Sequence, residues 1–157
     1  MKGVRHRAWW YLVAVSVLLV LFGVLDVASG AAADPAIAQG LTGLTLETLR
    51  AEDPAGYRLF DFFTRTQGIL LVVSGTLLTV ILLIPYRAGR RWAWWAAWVL
   101  PAWTAAVAVA YLAVGVDPTQ PPPPPLVSAP ILGGLAVLVL LLDRGRFGPG
   151  DSERARA

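Results

Sequence analysis

Four long apolar runs constrain the fold of this chain more than any other feature of its sequence. They cover residues 8–25, 68–86, 92–116 and 126–142. Each has about the 17–25 residues that a helix needs to cross roughly 30 Å of hydrocarbon. The first run contains eleven Leu, Val or Phe residues, and each favours membrane insertion by about 0.3–0.6 kcal/mol. The sequence therefore predicts an all-α fold, an antiparallel transmembrane four-helix bundle.

The composition fits a chain that lies mostly in lipid. Only 15% of the residues are charged, whereas a soluble domain carries about a quarter, and the mean hydropathy is +0.63. The sequence has no cysteine, which excludes disulfides and thiolate metal sites. The basic residues stand at the ends of the apolar runs and form no stripe, so we expect no nucleic-acid partner.

The basic residues divide unequally between the two sides of a four-span protein. The side with Arg50, Arg58 and Arg65 has only these three. The basic residues of the other side are Lys2, Arg5, Arg7, Arg87, Arg90, Arg91, Arg144, Arg146, Arg154 and Arg156. Because cytoplasmic loops carry an excess of Lys and Arg, this pattern predicts a multi-pass cell-membrane protein with both termini in the cytoplasm.

The chain is expected to form a single membrane domain. The predicted parts are spans at 8–28, 66–86, 91–116 and 126–143, an outer segment at 29–65 and a cytoplasmic tail at 144–157. A cleaved signal peptide is the alternative for the first span, since residues 28–34 resemble a small-residue cleavage site. However, its apolar run exceeds the usual length of about 7–15 residues and opens with Trp9 and Trp10, which favours a retained helix.

Tryptophan and arginine residues cluster where the first and third runs begin. We assign to the membrane interface Trp9, Trp10, Arg87, Arg90, Arg91, Trp92, Trp94 and Trp95. At headgroup depth an indole buries its ring and keeps its N–H hydrated. Gly89 is expected to relax the backbone of a tight turn between the second and third spans.

The outer segment is longer than a bundle connection requires. Residues 45–51 are predicted to form a short helix. Asp53 followed by Pro54 is typical of a helix N-cap with proline in the first turn. A helix that begins there and continues through the second span would have about 30 residues and a length of roughly 45 Å, so it would project beyond the bilayer.

The third run combines small residues with an internal proline. Ala93, Ala97, Pro101 and Ala105 recur at every fourth position, and small residues at this spacing let helices approach closely in lipid. Pro101 removes one backbone hydrogen bond, which predicts a kink. The five prolines at 121–125 predict a stiff connection to the fourth span.

The sequence offers no recognisable catalytic pattern. Its one histidine, His6, precedes the first run, so no histidine is placed to bind haem within the membrane, and we expect no metal and no cofactor. Charged residues instead mark the outer rim, where Asp26 is predicted to pair with Arg65 and fix helix register; the alternative is a ligand site that opens outward. The candidate ligand-binding residues are Asp26, Tyr57, Asp61, Arg65, Trp103 and Tyr111.

Three stretches carry a family resemblance. Asp53-Pro54, residues 65–68 and the motif Arg87-x-Gly-x-Arg-Trp-Ala-Trp94 together resemble small uncharacterised bacterial membrane proteins of the DoxX-like kind. The resemblance covers residues 40–105. It implies a four-span bundle with an outer segment before the second span and an arginine–tryptophan turn before the third, and it transfers no catalytic residue.

Two classes of function are consistent with these features. The first is a non-enzymatic membrane protein with an accessory or assembly role through its outer segment or helix faces. Its partners would be the lipid bilayer and other membrane proteins or a second copy of the chain. The second is a lipid- or small-molecule-binding protein or carrier, with a cavity near Pro101 and Trp103. An enzymatic activity is not expected.

Overall fold

The computed structural model describes residues 8–116 and 122–147, which are almost entirely helical and contain no strand. The elements are α1 (Trp9–Ser29) with a 3-10 turn (Gly30–Ala33), α2 (Pro35–Thr42), α3 (Leu46–Glu52), α4 (Pro54–Ile81) with a π-helical end (Leu82–Tyr86), α5 (Arg91–Ala97), α6 (Val99–Val114), and α7 (Pro124–Asp143) with a 3-10 turn (Arg144–Phe147). The all-α prediction is confirmed.

Four helical stretches are long and apolar enough to cross a membrane. They comprise 25, 33, 24 and 24 residues, and only 22–28% of the residues in their most apolar windows are buried inside the protein. The other residues of these windows face outward, and they include large side chains such as Phe22, Leu77 and Leu112. Because an apolar surface this extensive is incompatible with water, the chain is an integral multi-pass membrane protein.

The two ends of the bundle are distinguished by their connections. We call the end that bears residues 30–53 the outer end and the end at the turn between Tyr86 and Arg91 the inner end. At the inner end the backbone reverses through Gly89, whose φ of +74° is a conformation that glycine adopts at little cost. The predicted relaxation at Gly89 is confirmed.

Side-chain caps begin the helices of the outer segment. The Asp34 carboxylate accepts a hydrogen bond from the Ala36 amide at the start of α2. The Thr45 hydroxyl caps α3 in the same way, and the Asp53 carboxylate accepts from the Gly56 amide at 2.9 Å. Such caps satisfy amides that have no partner within the first helical turn. The predicted helices after Thr45 and Asp53 are therefore confirmed.

The third span is interrupted as expected. Helix α5 ends at Ala97 and α6 begins at Val99, with Trp98 between them in a turn. A proline ring collides with the carbonyl four residues earlier, and for Pro101 this is the carbonyl of Ala97. The interruption therefore lies one turn before the proline.

Helices α1 and α4 pack through glycines. A Cβ added at Gly23 would lie 2.6 Å from the Gly68 carbonyl oxygen, and one at Gly68 would lie 2.7 Å from the Gly23 carbonyl oxygen. Gly75 makes a similar approach to the backbone of Ser16, whose hydroxyl is 2.8 Å from that of Thr79. These contacts hold the first two spans together along most of their shared length.

The third and fourth spans form a second pair. Gly133 of α7 lies against the Thr104 side chain of α6, and the Thr104 hydroxyl donates to the Pro101 carbonyl at 2.9 Å. Ala93, Ala97 and Pro101 are buried as the small-residue spacing predicts, whereas Ala105 is exposed.

The two pairs meet mainly in the inner half of the bundle. The larger buried side chains that join them are Trp9, Leu12, Val13, Leu78, Leu82, Tyr86, Trp94, Leu100, Val139, Leu140 and Phe147. Within the predicted tail at 144–157, residues 144–147 form a 3-10 turn, and Phe147 packs on this core. The remainder of that tail and Pro121 lie outside the described residues. The other prolines of the predicted connection are described, and Pro124 and Pro125 begin α7.

Candidate functional site

An ion pair joins α4 to the end of α1 at the outer end. The Arg65 Nε donates to Asp61 Oδ2 at 2.8 Å, and Arg65 Nη1 donates to the carbonyl oxygens of Val27 at 2.6 Å and Ala28 at 3.3 Å. The Asp61 Oδ1 accepts from the Ala31 amide at 2.9 Å. Together the two side chains satisfy backbone groups that the end of α1 leaves without helical partners.

Gly30 makes this ion pair possible. Its φ is +56°, and a Cβ there would collide with the Asp61 carboxylate and lie 2.8 Å from the Arg65 guanidinium. Arg65 therefore pairs with Asp61, one turn earlier on its own helix, and the predicted Asp26–Arg65 pair is wrong. The sequence shows that Asp26 and Arg65 are near the same rim, but the direction of each side chain depends on helix rotation.

The six candidate ligand-binding residues fall in four places. Asp61 and Arg65 form the ion pair, while Asp26 and Tyr111 both lie within electrostatic range of Asp34. A fifth residue, Tyr57, has its ring 5.5 Å from the Arg50 guanidinium carbon. The sixth, Trp103, lies deeper in the bundle and lines a groove between helices.

The groove opens where the two helix pairs separate. It has a volume of about 180 Å³ and lies between α1, α4 and the third span. Its apolar walls are formed by Leu19, Leu70, Leu71, Leu78, Val99 and Leu100. Helix α4 packs on α1 through glycines and α6 packs on α7, so α4 and α6 make few direct contacts and the groove lies between them. Trp103 was expected near a cavity with Pro101, but Pro101 is buried on the side of α7.

Three polar side chains complete the groove. They are Gln67, Ser74 and Trp103. At about 1.5 Å per residue, Ser74 lies roughly 18 Å from the inner end of α4, and Trp103 lies roughly 18 Å from the start of α5. The two are therefore level near the middle of the membrane, while Gln67 lies about 10 Å closer to the outer end. None of the nine described residues that line the groove is charged.

A buried carboxylate lies at the inner end, and sequence reasoning missed it. Asp143 is 1% exposed, and its Oδ2 accepts a hydrogen bond of 2.9 Å from the Tyr86 hydroxyl. Arg146 Nη1 is 3.5 Å from the same oxygen, and within the described ranges Oδ1 accepts no hydrogen bond. The spacing of residues along α7 could have revealed its burial, since Asp143 follows Ala136 and Leu140 on the buried face of that helix. The Tyr86–Asp143 bond links the second span to the fourth.

The interface tryptophans separate into two sets. Trp10, Trp92 and Trp95 are exposed, but Trp9 and Trp94 are buried in the core. The Trp94 indole donates to the Leu140 carbonyl at 3.0 Å. Trp9 and Trp94 thus pack against protein, and their assignment to the membrane interface stays a prediction. The arginines predicted with them, Arg87, Arg90 and Arg91, are exposed around the inner turn.

Comparison with known proteins adds no functional assignment. No family model, curated protein or solved structure matches the chain. The resemblance to DoxX-like proteins therefore stays a prediction.

Proposed function

We propose that this protein is a non-enzymatic membrane protein that binds a hydrocarbon chain, of a lipid or a similar apolar molecule, in the groove beside Trp103. The observation that carries the proposal is an apolar groove open to the side within the membrane-spanning part of the bundle. Its lining includes Leu70 of α4, which is exposed and continues into the outward-facing surface. A lipid chain can therefore enter from the bilayer without crossing water.

The size of the groove favours a single chain. An engineered cavity of about 150 Å³ accommodates benzene, and sites for drug-sized ligands measure about 300–1,000 Å³. The 180 Å³ of this groove therefore suits a segment of about six or seven carbon atoms. The rest of a longer molecule would remain in the bilayer.

Native mass spectrometry of protein extracted with its lipids tests this proposal. Ser74→Phe places a ring in the groove, whereas Thr76→Phe adds the same ring to another exposed face of α4. We expect retained lipid in the wild type and in Thr76→Phe and a loss of it in Ser74→Phe. Absence of retained lipid from the wild type, or equal retention in the two variants, would overturn the proposal.

We propose an accessory or assembly role through the outer segment as the second candidate. The exposed side chains of Leu59, Phe62 and Phe63 support it, because they form one apolar face on the outer turns of α4. In-membrane cross-linking at this face tests the role. Cross-linking to one defined protein that is lost in Phe62→Ser would support the role. Cross-links to lipid alone would contradict it.

We also propose that the inner end faces the cytoplasm. The positive-inside pattern supports this orientation, and three of the arginines concerned lie exposed at the inner turn.

A further inference from the structure

The hydroxyl of Ser74 differs from most other hydroxyls of the membrane helices. Thr66, Thr79 and Ser128 each donate to a carbonyl four residues earlier, at 2.7–2.9 Å. Such local bonds are the usual solution for a hydroxyl on a helix in lipid. Within residues 8–116 and 122–147, the hydroxyls of Ser74 and Thr76 make no hydrogen bond, and of the two only Ser74 lines the groove.

The indole of Trp103 presents the same situation from the opposite wall. The part of the chain that the structure describes gives its N–H no acceptor, and the residue is 37% exposed. An indole N–H can only donate, and a hydroxyl can donate or accept. Polar groups without partners in an apolar medium cost free energy, so both side chains are complementary to an acceptor supplied from the groove.

The chemistry of the lining limits what that acceptor can be. With no charged side chain among the described lining residues, a charged ligand group at this depth would have no counter-ion, and charges within a membrane are expensive. An uncharged carbonyl or ether oxygen accepts a hydrogen bond and needs no counter-ion. Gln67, about 10 Å nearer the outer end, lies where a second uncharged polar group of the same molecule would enter.

We propose that the groove is specific for a membrane-dissolved molecule with a single hydrocarbon chain that carries an uncharged hydrogen-bond acceptor, bound by Ser74 and Trp103. The proposal rests on the proposed function, because it names the class of molecule that the same groove takes. Three observations favour this occupant over a plain alkyl chain or a protein helix. The groove is continuous with the lipid-facing surface, its volume fits one chain segment, and two unpaired polar groups lie level on its walls.

Competition photolabelling in phosphatidylcholine nanodiscs tests the specificity. The probe is a ten-carbon alkane that carries a diazirine, and the readout is saturable labelling of the peptide that contains Leu100 and Trp103. The competitors are decane and 5-decanone, and their amounts are expressed as mole fraction in the membrane. We expect both to compete, with 5-decanone effective at an amount about 2- to 10-fold lower, as one neutral hydrogen bond provides.

Variants identify the donors. Ser74→Ala removes a donor with little change in the shape of the groove. Trp103→Phe removes the indole donor and also enlarges the groove, and this enlargement acts on decane and 5-decanone alike. We therefore expect each variant to reduce the difference between the amounts of the two competitors that are needed. Thr76→Val removes a hydroxyl from another face of α4 and is expected to keep the wild-type difference.

The outcomes separate the two proposals. Equal competition by decane and 5-decanone in the wild type would overturn the specificity while leaving chain binding intact. No saturable labelling of the groove peptide would overturn chain binding itself. A wild-type preference that survives both Ser74→Ala and Trp103→Phe would refute the assignment of these donors.

Discussion

The close approach of α1 and α4 predicts a large penalty for a single methyl group. In Gly68→Ala the added Cβ would lie 2.7 Å from the Gly23 carbonyl oxygen and 2.9 Å from the Val27 amide nitrogen. Ordinary contacts of this kind begin at 3.4 Å. Both neighbours are backbone atoms, so no side-chain rotation relieves the clash, and the two helices must separate by about 0.7 Å.

The size of the penalty follows from the packing energy that is lost when the two helices separate. A gap of about 0.5–1 Å forfeits a quarter to a half of the dispersion energy of each contact, and overpacking of this kind costs about 1–3 kcal/mol. Replacement of glycine by alanine also favours the helix by about 0.8–1 kcal/mol, which opposes the clash. A matched variant is therefore needed to separate the two effects.

Gly134→Ala supplies that control. Gly134 lies within α7, and a Cβ there would have no atom within 4 Å. We expect Gly134→Ala to be neutral or slightly stabilising and Gly68→Ala to lie about 1–3 kcal/mol below it. The assay is unfolding by a denaturing detergent, followed by tryptophan fluorescence. Stabilities of Gly68→Ala and Gly134→Ala that agree within about 0.5 kcal/mol would refute the glycine-mediated packing of α1 and α4.

Two further substitutions test the contacts at the ends of the bundle. Tyr86→Phe leaves the buried Asp143 carboxylate without its hydroxyl donor, so we expect a loss of about 1–3 kcal/mol in the same unfolding assay. Tyr111→Phe serves as the control, because the Tyr111 hydroxyl makes no hydrogen bond within the described residues. Equal losses would contradict the role of the Tyr86–Asp143 bond. Arg65→Gln should accelerate hydrogen exchange of the turn after α1 a few-fold, because it removes the guanidinium that binds Asp61 and the Val27 carbonyl, while solvent screens this partly exposed pair. Arg58→Gln should not, since within the described part of the chain Arg58 bonds only to Pro54 of its own helix. An effect of the same size there would argue against an anchoring role for Arg65.

Features that depend on local chemistry were predictable from the sequence. The membrane spans follow from the length of the apolar runs, and the start of α4 follows from the cap Asp53 and from Pro54. The interruption before Pro101 follows from a clash within one turn of helix. Each of these involves residues that are near one another in the chain, so a short window contains all the information.

Features that depend on helix rotation were not predictable. The sequence shows the depth of Trp9, Trp10, Trp94 and Trp95 but not the direction in which each ring points. Adjacent residues lie about 100° apart around a helix, so one of each pair is buried and the other is exposed. The prediction of Asp26 as the partner of Arg65 was wrong for the same reason.

The groove was only partly predictable. A cavity beside Trp103 was expected from the helix interruption, but its true walls depend on which helices separate. That separation arises because Gly23 and Gly68 bring α1 and α4 together, a contact between residues 45 positions apart in the chain. The buried Asp143 shows the same limit, since its partner Tyr86 lies on another span.

The arrangement of four spans is tested most directly by labelling single cysteines, which the cysteine-free chain permits. Ala51→Cys lies in the outer segment and Ala88→Cys in the inner turn, and both positions are exposed. In intact cells an impermeant maleimide is predicted to label Ala51→Cys at once and Ala88→Cys only after the membrane is permeabilised. Labelling of both cysteines from the same side would contradict a membrane crossing by α4.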